Sequence, residues 1–501
     1  MLPRYNYIKI TLTLSILIGL SVSLFSQEFI DRRLDEYAAK TYSNLHLVND
    51  TILLIGRGTT FQPSLPAKIN ITRYTIGGEF IDEKIFIEND ELDYLPWLQG
   101  STKRDQNNIY ISGSGGYLSV NDSAWVANYN IVGDSLNWFT KIKPLYLNTN
   151  NSIVTEIKLD DSNKILALMI ESSGEMPQKF YLRLVKIDNE GEVESNFLIE
   201  EENFDIKGYS ILKNSNNETI IGVDVSPENG PISLQLWRLD SDGNILDKYI
   251  SGEEDNGQKC NKIIETADGG YIFLDRVLEK LVGQAEFRSR ITKLNSNLEK
   301  EWELKLGLLQ VDTELFNVKK TNDGNYIAVG GTDEEDNIGT SAHIVKFTEE
   351  GDVIWESTIP IDITADNNQN SFTRNYLYDV MELEEGGFIA CGQSLGQFVD
   401  SFPQQALLIR VDDKGQLNHI FFTPPPNLEP LIVFPNPVQS TLYFKEEKED
   451  NISYEIISLH GSLISKGIYR KGTGIDVSFL VKGMYIVRLE NGRKASFVVG
   501  N

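Results

Sequence analysis

Four histidines, His46, His343, His419 and His460, are the only imidazoles in the chain, and none stands at ligand spacing from either cysteine, Cys260 or Cys391. A Cys/His zinc site therefore has no support, and no metal or other cofactor is expected. The one GxSxG match, "GQSLG" (392–396), runs on from the repeat copy "GFIACGQ" with no helix pattern after it, so the nucleophile elbow of one large hydrolase class has no support. In "LDSDGNILD" (239–247) Asp240, Asp242 and Asn244 alternate as calcium ligands do. The loop-position-six glycine and the position-twelve glutamate of an EF-hand are missing, and Gly243 stands where a hairpin turn wants positive φ, so the stretch reads as a turn. The acidic run "TDEEDN" (332–337) offers carboxylate pairs for glycoside hydrolysis, although in so acidic a chain it reads first as a solvated loop. The side chains best suited to recognition are aromatic: Tyr94, Trp97 and Phe398, candidates for stacking on a ligand. No catalytic residue is assigned.

What must position these groups follows from the rest of the chain. Its 501 residues carry 73 acidic and 46 basic side chains, a net charge of −27. That charge repels phosphate backbones and anionic lipid, which argues against nucleic-acid and peripheral membrane binding. The N-terminus has Arg4 and Lys9 ahead of the uncharged apolar run "ITLTLSILIGLSVSLF" (10–25) and then Ser26. This pattern is a secretory signal peptide over residues 1–26, too short for a bilayer span and with no stop-transfer pattern after it. No transmembrane segment is expected in the mature chain, and no lipidated cysteine follows the apolar run.

The middle of the chain repeats. "NYIAVGG" (325–331), "GFIACGQ" (387–393) and "GYIFLD" (270–275) have weaker copies, and the series starts at residues 52, 109, 165, 219, 271, 326 and 388. A second marker keeps the same register: "KFTEEGDVIW", "RVDDKGQLNH", "RLDSDGNILD" and "KIDNEGEVES" place a turn glycine five residues after a basic one, with Leu298 replacing it in "KLNSNLEKEW". Two markers in constant phase over seven copies define a structural repeat. Each copy alternates Ile, Val, Leu, Tyr and Phe between Gly/Asp/Asn turns, the pattern of short strands. Four strands per unit in seven units predict an all-β chain whose residues 42–422 form a seven-bladed β-propeller. Residues 27–41 are its lead-in. In the frame starting at each marker, the last unit runs out after its third strand, at "NHIFF", so the N-terminal strand "SNLHLV" (44–49) is expected to complete it. That closure would bring His46 toward His419, where packing is a more ordinary role than a metal pair.

Connection lengths distinguish the two faces of such a ring. The turns inside the second marker and before the first are tight, whereas "RGTTFQPSLPAK", "NDELDYLPWLQGSTKR" and "SLGQFVDSFPQQ" are long and varied. Binding residues belong on loops held by a rigid scaffold, and Tyr94, Trp97 and Phe398 all fall in the long ones. The units resemble divergent propeller repeats with "DGGYI…G" and "K-D-x-x-G-x…W" signatures in secreted bacterial proteins, a resemblance that speaks for architecture and is silent on activity.

After a proline-rich linker (423–430), residues 431–501 open on "FPNPV" and continue as alternating strands between glycine turns, which predicts a small β-sandwich. The Pro435-Asn436-Pro437 corner, the hairpin "YEIISLHGSLI" around Gly461, the segment "IDVSFLVKGMYIVRL" with Gly483 and Tyr485, and the closing "KASFVV" resemble the type A C-terminal sorting domain of the type IX secretion system. The resemblance implies export across both membranes of a Gram-negative cell, with the secretion machinery as partner and the propeller released or held at the cell surface. The expected function is binding of a protein or glycan without catalysis. An extracellular enzyme acting on polysaccharide, with carboxylates from the elaborated face as acid and base, is the alternative.

Overall fold

The computed structural model describes residues 39–59, 68–78, 80–86, 94–115, 124–145, 149–173, 179–199, 204–227, 232–251, 257–281, 284–307, 311–333, 339–361, 372–397, 404–421, 431–445, 451–458, 463–470, 472–489 and 494–500. The expected signal peptide, the proline-rich linker, and the segments with Phe398, His460 and Gly461 lie outside these residues. Every regular element among the described residues is a β-strand. No described helix is long and apolar enough to cross a membrane.

The first unit, residues 36–417, holds a seven-bladed propeller in which each blade is four sequential antiparallel strands. The blades begin at innermost strands Ala39–Val48, Tyr94–Lys103, Thr149–Leu159, Phe204–Lys213, Gly257–Glu265, Thr313–Lys320 and Phe372–Glu382. The expected closure is corrected here. The N-terminal strand Ala39–Val48 pairs with Thr51–Thr59 of its own blade, and the last blade has its full set from Phe372–Glu382 to Leu417–Phe421. The reason is local: Asn49 and Asp50, both at positive φ (47° and 59°), make a two-residue hairpin turn that commits the first strand to the second. The strand before each marker thus belongs to the blade that follows it, and among the described residues no strand is exchanged between the chain ends.

Because every blade is covered on both faces, its strands carry apolar residues at successive positions instead of strict alternation. Ile109 and Ile111 pack toward Leu53, Ile55 and Ile71 of blade 1, while Tyr110 joins Val154, Ile165 and Ala167 of blade 3. Equivalent cores lie between blades 3 and 4, 4 and 5, and 5 and 6. The seam between blades 7 and 1 is joined by Thr41 Oγ1 donating to Gln393 Oε1 at 3.0 Å and Leu45 N donating to Asp379 Oδ2 at 3.0 Å.

Both repeat markers acquire physical meaning. The basic residue of the second marker pairs with an acidic residue in the tight turn of the first: Lys186 with Asp160 (2.6 Å), Lys293 with Asp268 (2.7 Å), Lys346 with Asp323 (2.7 Å) and Arg410 with Glu385 (2.8 Å). The marker's turn glycine lies under an aromatic ring of the preceding blade: Gly191 under Trp138, Gly351 under Trp302 and Gly415 under Trp355. These glycines have φ between 75° and 91°, so both backbone and space exclude a side chain. Leu298, the exception, also adopts positive φ (61°), and its side chain is buried in the core that includes Tyr249 of the blade before.

Residues 432–499 form a β-sandwich of a three-stranded and a four-stranded sheet around Val438, Leu442, Ile456, Val477, Val487 and Phe497. The Phe434–Pro435 and Asn436–Pro437 peptides are both cis, and the corner they make leads into the strand Thr441–Lys445. Asn436 Oδ1 accepts from Val498 N, and Val438 N donates to Val498 O, which ties this corner to the last strand. Tyr485 donates to Val481 O at 2.8 Å and stacks on Phe497, and Gly483 begins the strand Gly483–Leu489.

Candidate functional site

All seven innermost strands, which line the propeller channel, break register with their neighbour near mid-length. A β-bulge bends the strand and frees backbone groups that need new partners. The residue after the bulge is polar in all seven blades: Asn44, Ser101, Glu156, Ser210, Lys262, Asn317 and Asp379. Several of these reach the next blade. Glu156 Oε2 accepts from Ser210 Oγ (2.7 Å) and Ile211 N (2.8 Å), Ser210 Oγ accepts from Ile263 N, Asn317 Nδ2 donates to Asp379 Oδ1 (2.9 Å), and Asp379 receives Leu45 N. The glycine that closes the first marker faces the bulge. A Cβ on Gly56, Gly330 or Gly392 would sit 1.8 to 1.9 Å from the carbonyl oxygen opposite.

Two charged clusters result. At the strand ends away from the tight turns, Lys259 donates its backbone N–H to Asp224 Oδ1 (2.8 Å) and its ammonium to Glu314 Oε1 (2.8 Å), with Arg276 3.7 Å from Glu314. Lys259 Nζ also lies 5.4 Å from the Phe316 ring centroid, and Phe316 meets Tyr376 and Tyr378 edge-on. Burial raises the Asp224 carboxyl to a pKa of about 7, so it is substantially protonated at neutral pH. Glu314 is shifted the other way: burial opposes its ionisation, but the ammonium of Lys259 overcomes that and lowers its pKa. Half-buried Tyr209 interacts electrostatically with Asp224 and Arg276, and half-buried Tyr376 with Glu314.

Nearer the tight turns, Glu156 bonds both Lys158 (2.8 Å) and Lys262, and Asp379 bonds Lys319 (2.6 Å). Burial would raise the Glu156 pKa, yet the ammoniums of Lys158 and Lys262 bring it to about 2. His46 is brought down to about 4 by burial and is hydrogen-bonded to Ser101 Oγ at 2.7 Å, so it is neutral at pH 7. Gln99 of blade 2 spans between the clusters, donating from Nε2 to the carbonyls of Asn261 and Phe316 (2.8 Å) in blades 5 and 6.

The residues singled out in the sequence distribute unevenly over this arrangement. Tyr94 and Trp97 lie on the innermost strand Tyr94–Lys103, Tyr94 opposite Gly115, and so begin blade 2 instead of sitting in a loop. His46 and His419 are on strands that do not pair, His46 in the first blade and His419 in the last. His343 is buried and meets Glu356 at 2.7 Å. Asp240 Oδ1 accepts from Asp242 N and Asn244 N, the hydrogen bonding of a turn, with Gly243 at φ 83°. Asp333 of the acidic run accepts from Thr340 Oγ1, and residues 334–337 lie outside the described residues. Cys260 and Cys391 are buried and free. Sequence reasoning missed the channel residues, although a signal was present: "NLH", "EIK", "SIL", "KII", "NVK" and "DVM" put a polar residue before an apolar one in the strand preceding each marker.

Residues 432–499 match the family described as secretion system C-terminal sorting domain. This segment is a type IX secretion sorting domain. It directs export to the medium or the outer surface of a Gram-negative bacterium, and the secretion machinery is its partner. No curated protein matches the chain. Among solved structures, the propeller resembles a Dyadobacter fermentans protein of unknown function, with 10% identity over 75% of this chain and 94% of that one and a TM-score of 0.40. It also resembles a polysaccharide lyase of family PL25, an ulvan lyase (10% identity, 77% and 97% coverage, TM-score 0.46). A third is the propeller domain of the Pyrococcus furiosus trilobed protease (10%, 75% and 94%, TM-score 0.39).

Proposed function

We propose that the sorting domain delivers a glycan-binding propeller whose site is the channel mouth away from the tight turns. A single observation carries this reading: half-buried Tyr209 and Tyr376, backed by Phe316 and Tyr378, stand beside Lys259, Arg276 and two carboxyl groups of opposite ionisation. Rings offer faces to the apolar side of a sugar while the charged groups bond its hydroxyls. Tyr94 and Trp97 lie on the strand that begins blade 2 at the same end. Removal of residues 1–26 precedes passage of the outer membrane, and the Pro435–Pro437 corner with Gly461, Gly483 and Tyr485 forms the address read by the secretion machinery. Calorimetric titration of the exported protein with a panel of soluble polysaccharides tests the binding site. Tyr376→Ala is expected to weaken the best ligand by roughly tenfold, about 1.4 kcal/mol. Unchanged affinity in both Tyr376→Ala and Lys259→Met would refute it.

One observation favours the enzymatic alternative: Asp224, about half protonated at pH 7, and ionised Glu314 share Lys259, a proton donor beside a carboxylate. In that case the same titrations release new chain ends, and Asp224→Asn abolishes their release while leaving binding intact.

A further inference from the structure

We propose that the channel at the tight-turn end binds a tetrahedral oxyanion, of the phosphate or sulfate class, between Lys158, Lys262 and Lys319. Three strands deliver these ammoniums, Thr149–Leu159, Gly257–Glu265 and Thr313–Lys320, and a fourth, Tyr94–Lys103, adds Lys103, whose Nζ donates to Leu47 O at 2.9 Å. Against four lysines the cluster sets two carboxylates, Glu156 and Asp379, and a neutral His46.

Those carboxylates are committed elsewhere. Glu156 also receives Ser210 Oγ and Ile211 N, and Asp379 receives Leu45 N, Asn317 Nδ2 and Val380 N. Their oxygens join blades across the bulges and are shared between backbone donors and lysines. Each ammonium has three protons to place, so the lysines hold donor capacity that two shared carboxylates do not saturate. The cluster is two positive charges in excess, inside a chain of net charge −27. Solvent reaches it, since the side chains of Lys158 and Lys319 are 28% and 39% exposed while Glu156 is fully buried. Burial also pulls Lys262 down to a pKa of about 8, whereas at Lys158 the Glu156 carboxylate outweighs burial and holds the ammonium above its ordinary pKa. An anion with several acceptor oxygens meets all three lysines at once and restores neutrality. The Gln99 crossing stands between this cluster and the glycan site, so neither proposal depends on the other.

Equilibrium dialysis of the exported protein against inorganic sulfate and inorganic phosphate, at constant ionic strength in chloride, tests the site. One saturable site per chain is expected for at least one of the two ions. Lys319→Gln should weaken it by about tenfold, and Lys158→Met with Lys319→Gln should abolish it; Lys84→Met, remote from the channel, should leave it intact. Should Lys158→Met disturb folding by circular dichroism, Lys158→Arg, which keeps the charge, is expected to fold and retain the ion. Absence of saturable uptake of either ion, or uptake equal in wild type and Lys319→Gln, would overturn the proposal. Competition by a sulfated oligosaccharide separates the two sources of this chemistry: displacement assigns the site to an acidic group on a polymer, and persistence of the bound ion assigns it to the free oxyanion.

Discussion

Adding a single methyl group at two turn glycines separates backbone strain from packing between blades. Gly324 and Gly351 have nearly the same φ, 86° and 91°, so alanine costs each about 1 kcal/mol through the left-handed backbone. Their surroundings differ. A Cβ on Gly324 meets nothing within 4 Å, whereas one on Gly351 meets Trp302 Cε3, Cδ2 and Cζ3 at 3.0, 3.1 and 3.2 Å. Trp302 cannot simply swing away, because its Nε1 donates to Glu349 O at 3.0 Å and its ring packs on the core between blades 5 and 6. Overpacking of this kind adds roughly 1–3 kcal/mol, so Gly351→Ala is expected to lose about 2–4 kcal/mol and Gly324→Ala about 1. Urea titration of the exported protein, followed by far-UV circular dichroism, reads the difference as a shift in midpoint at unchanged slope. The cycle is completed with Trp302→Leu, in whose background Gly351→Ala should cost no more than Gly324→Ala, a coupling of about 1–3 kcal/mol. Equal losses for the two alanines, or zero coupling with Trp302→Leu, would refute the claim that aromatic–glycine contacts hold adjacent blades together.

Two further expectations follow from buried titratable groups. His46 has its pKa lowered to about 4 in the folded chain against 6.5 unfolded, so the unfolded state takes up the proton first as the pH falls; stability present at pH 7 is lost between pH 6.5 and 4. From pH 7 to 5 the loss is about 2 kcal/mol more in the wild type than in His46→Gln, measured by urea titration at both values, and parallel behaviour of the two proteins would contradict the burial assigned to this imidazole. Asp224 runs in the opposite sense, because its raised pKa of about 7 destabilises the fold as the pH rises from 4 through 7. Asp224→Asn keeps the acceptor for Lys259 N and should therefore be about 4 kcal/mol more stable than wild type at pH 8 and little changed at pH 4; a destabilised variant at pH 8 would show that the carboxylate is compensated in the fold.

Several elements were legible from residues close in sequence. The pairing of Lys346 with Asp323 and the seating of Gly351 under Trp302 are what kept the two repeat markers in constant phase. The proline corner of the sorting domain was equally local, since Pro435 and Pro437 shape the chain into the strand Thr441–Lys445. The blade boundary was misplaced even though its evidence was local too. Asn49-Asp50 is a hairpin turn, and weighing that turn above the apparent shortage of a strand at "NHIFF" assigns the N-terminal strand correctly. Tyr94 and Trp97 look like loop residues in the sequence because proline and polar neighbours obscure the start of a strand whose bulge is four residues long.

The sequence by itself determined which segments are strands, the blade number, turn chemistry and the export address, because each depends on side-chain alternation and turn residues within a few positions of one another. Only the tertiary structure decided the two charged clusters. Glu156, Lys262 and Asp379 are separated by about a hundred residues or more, and each looks in its own strand like an ordinary polar position. They meet because the bulge recurs at one height in all seven innermost strands and the closed ring turns those strands toward a common axis. Burial there, absent from any single strand, sets the ionisation of Asp224, His46 and Lys262.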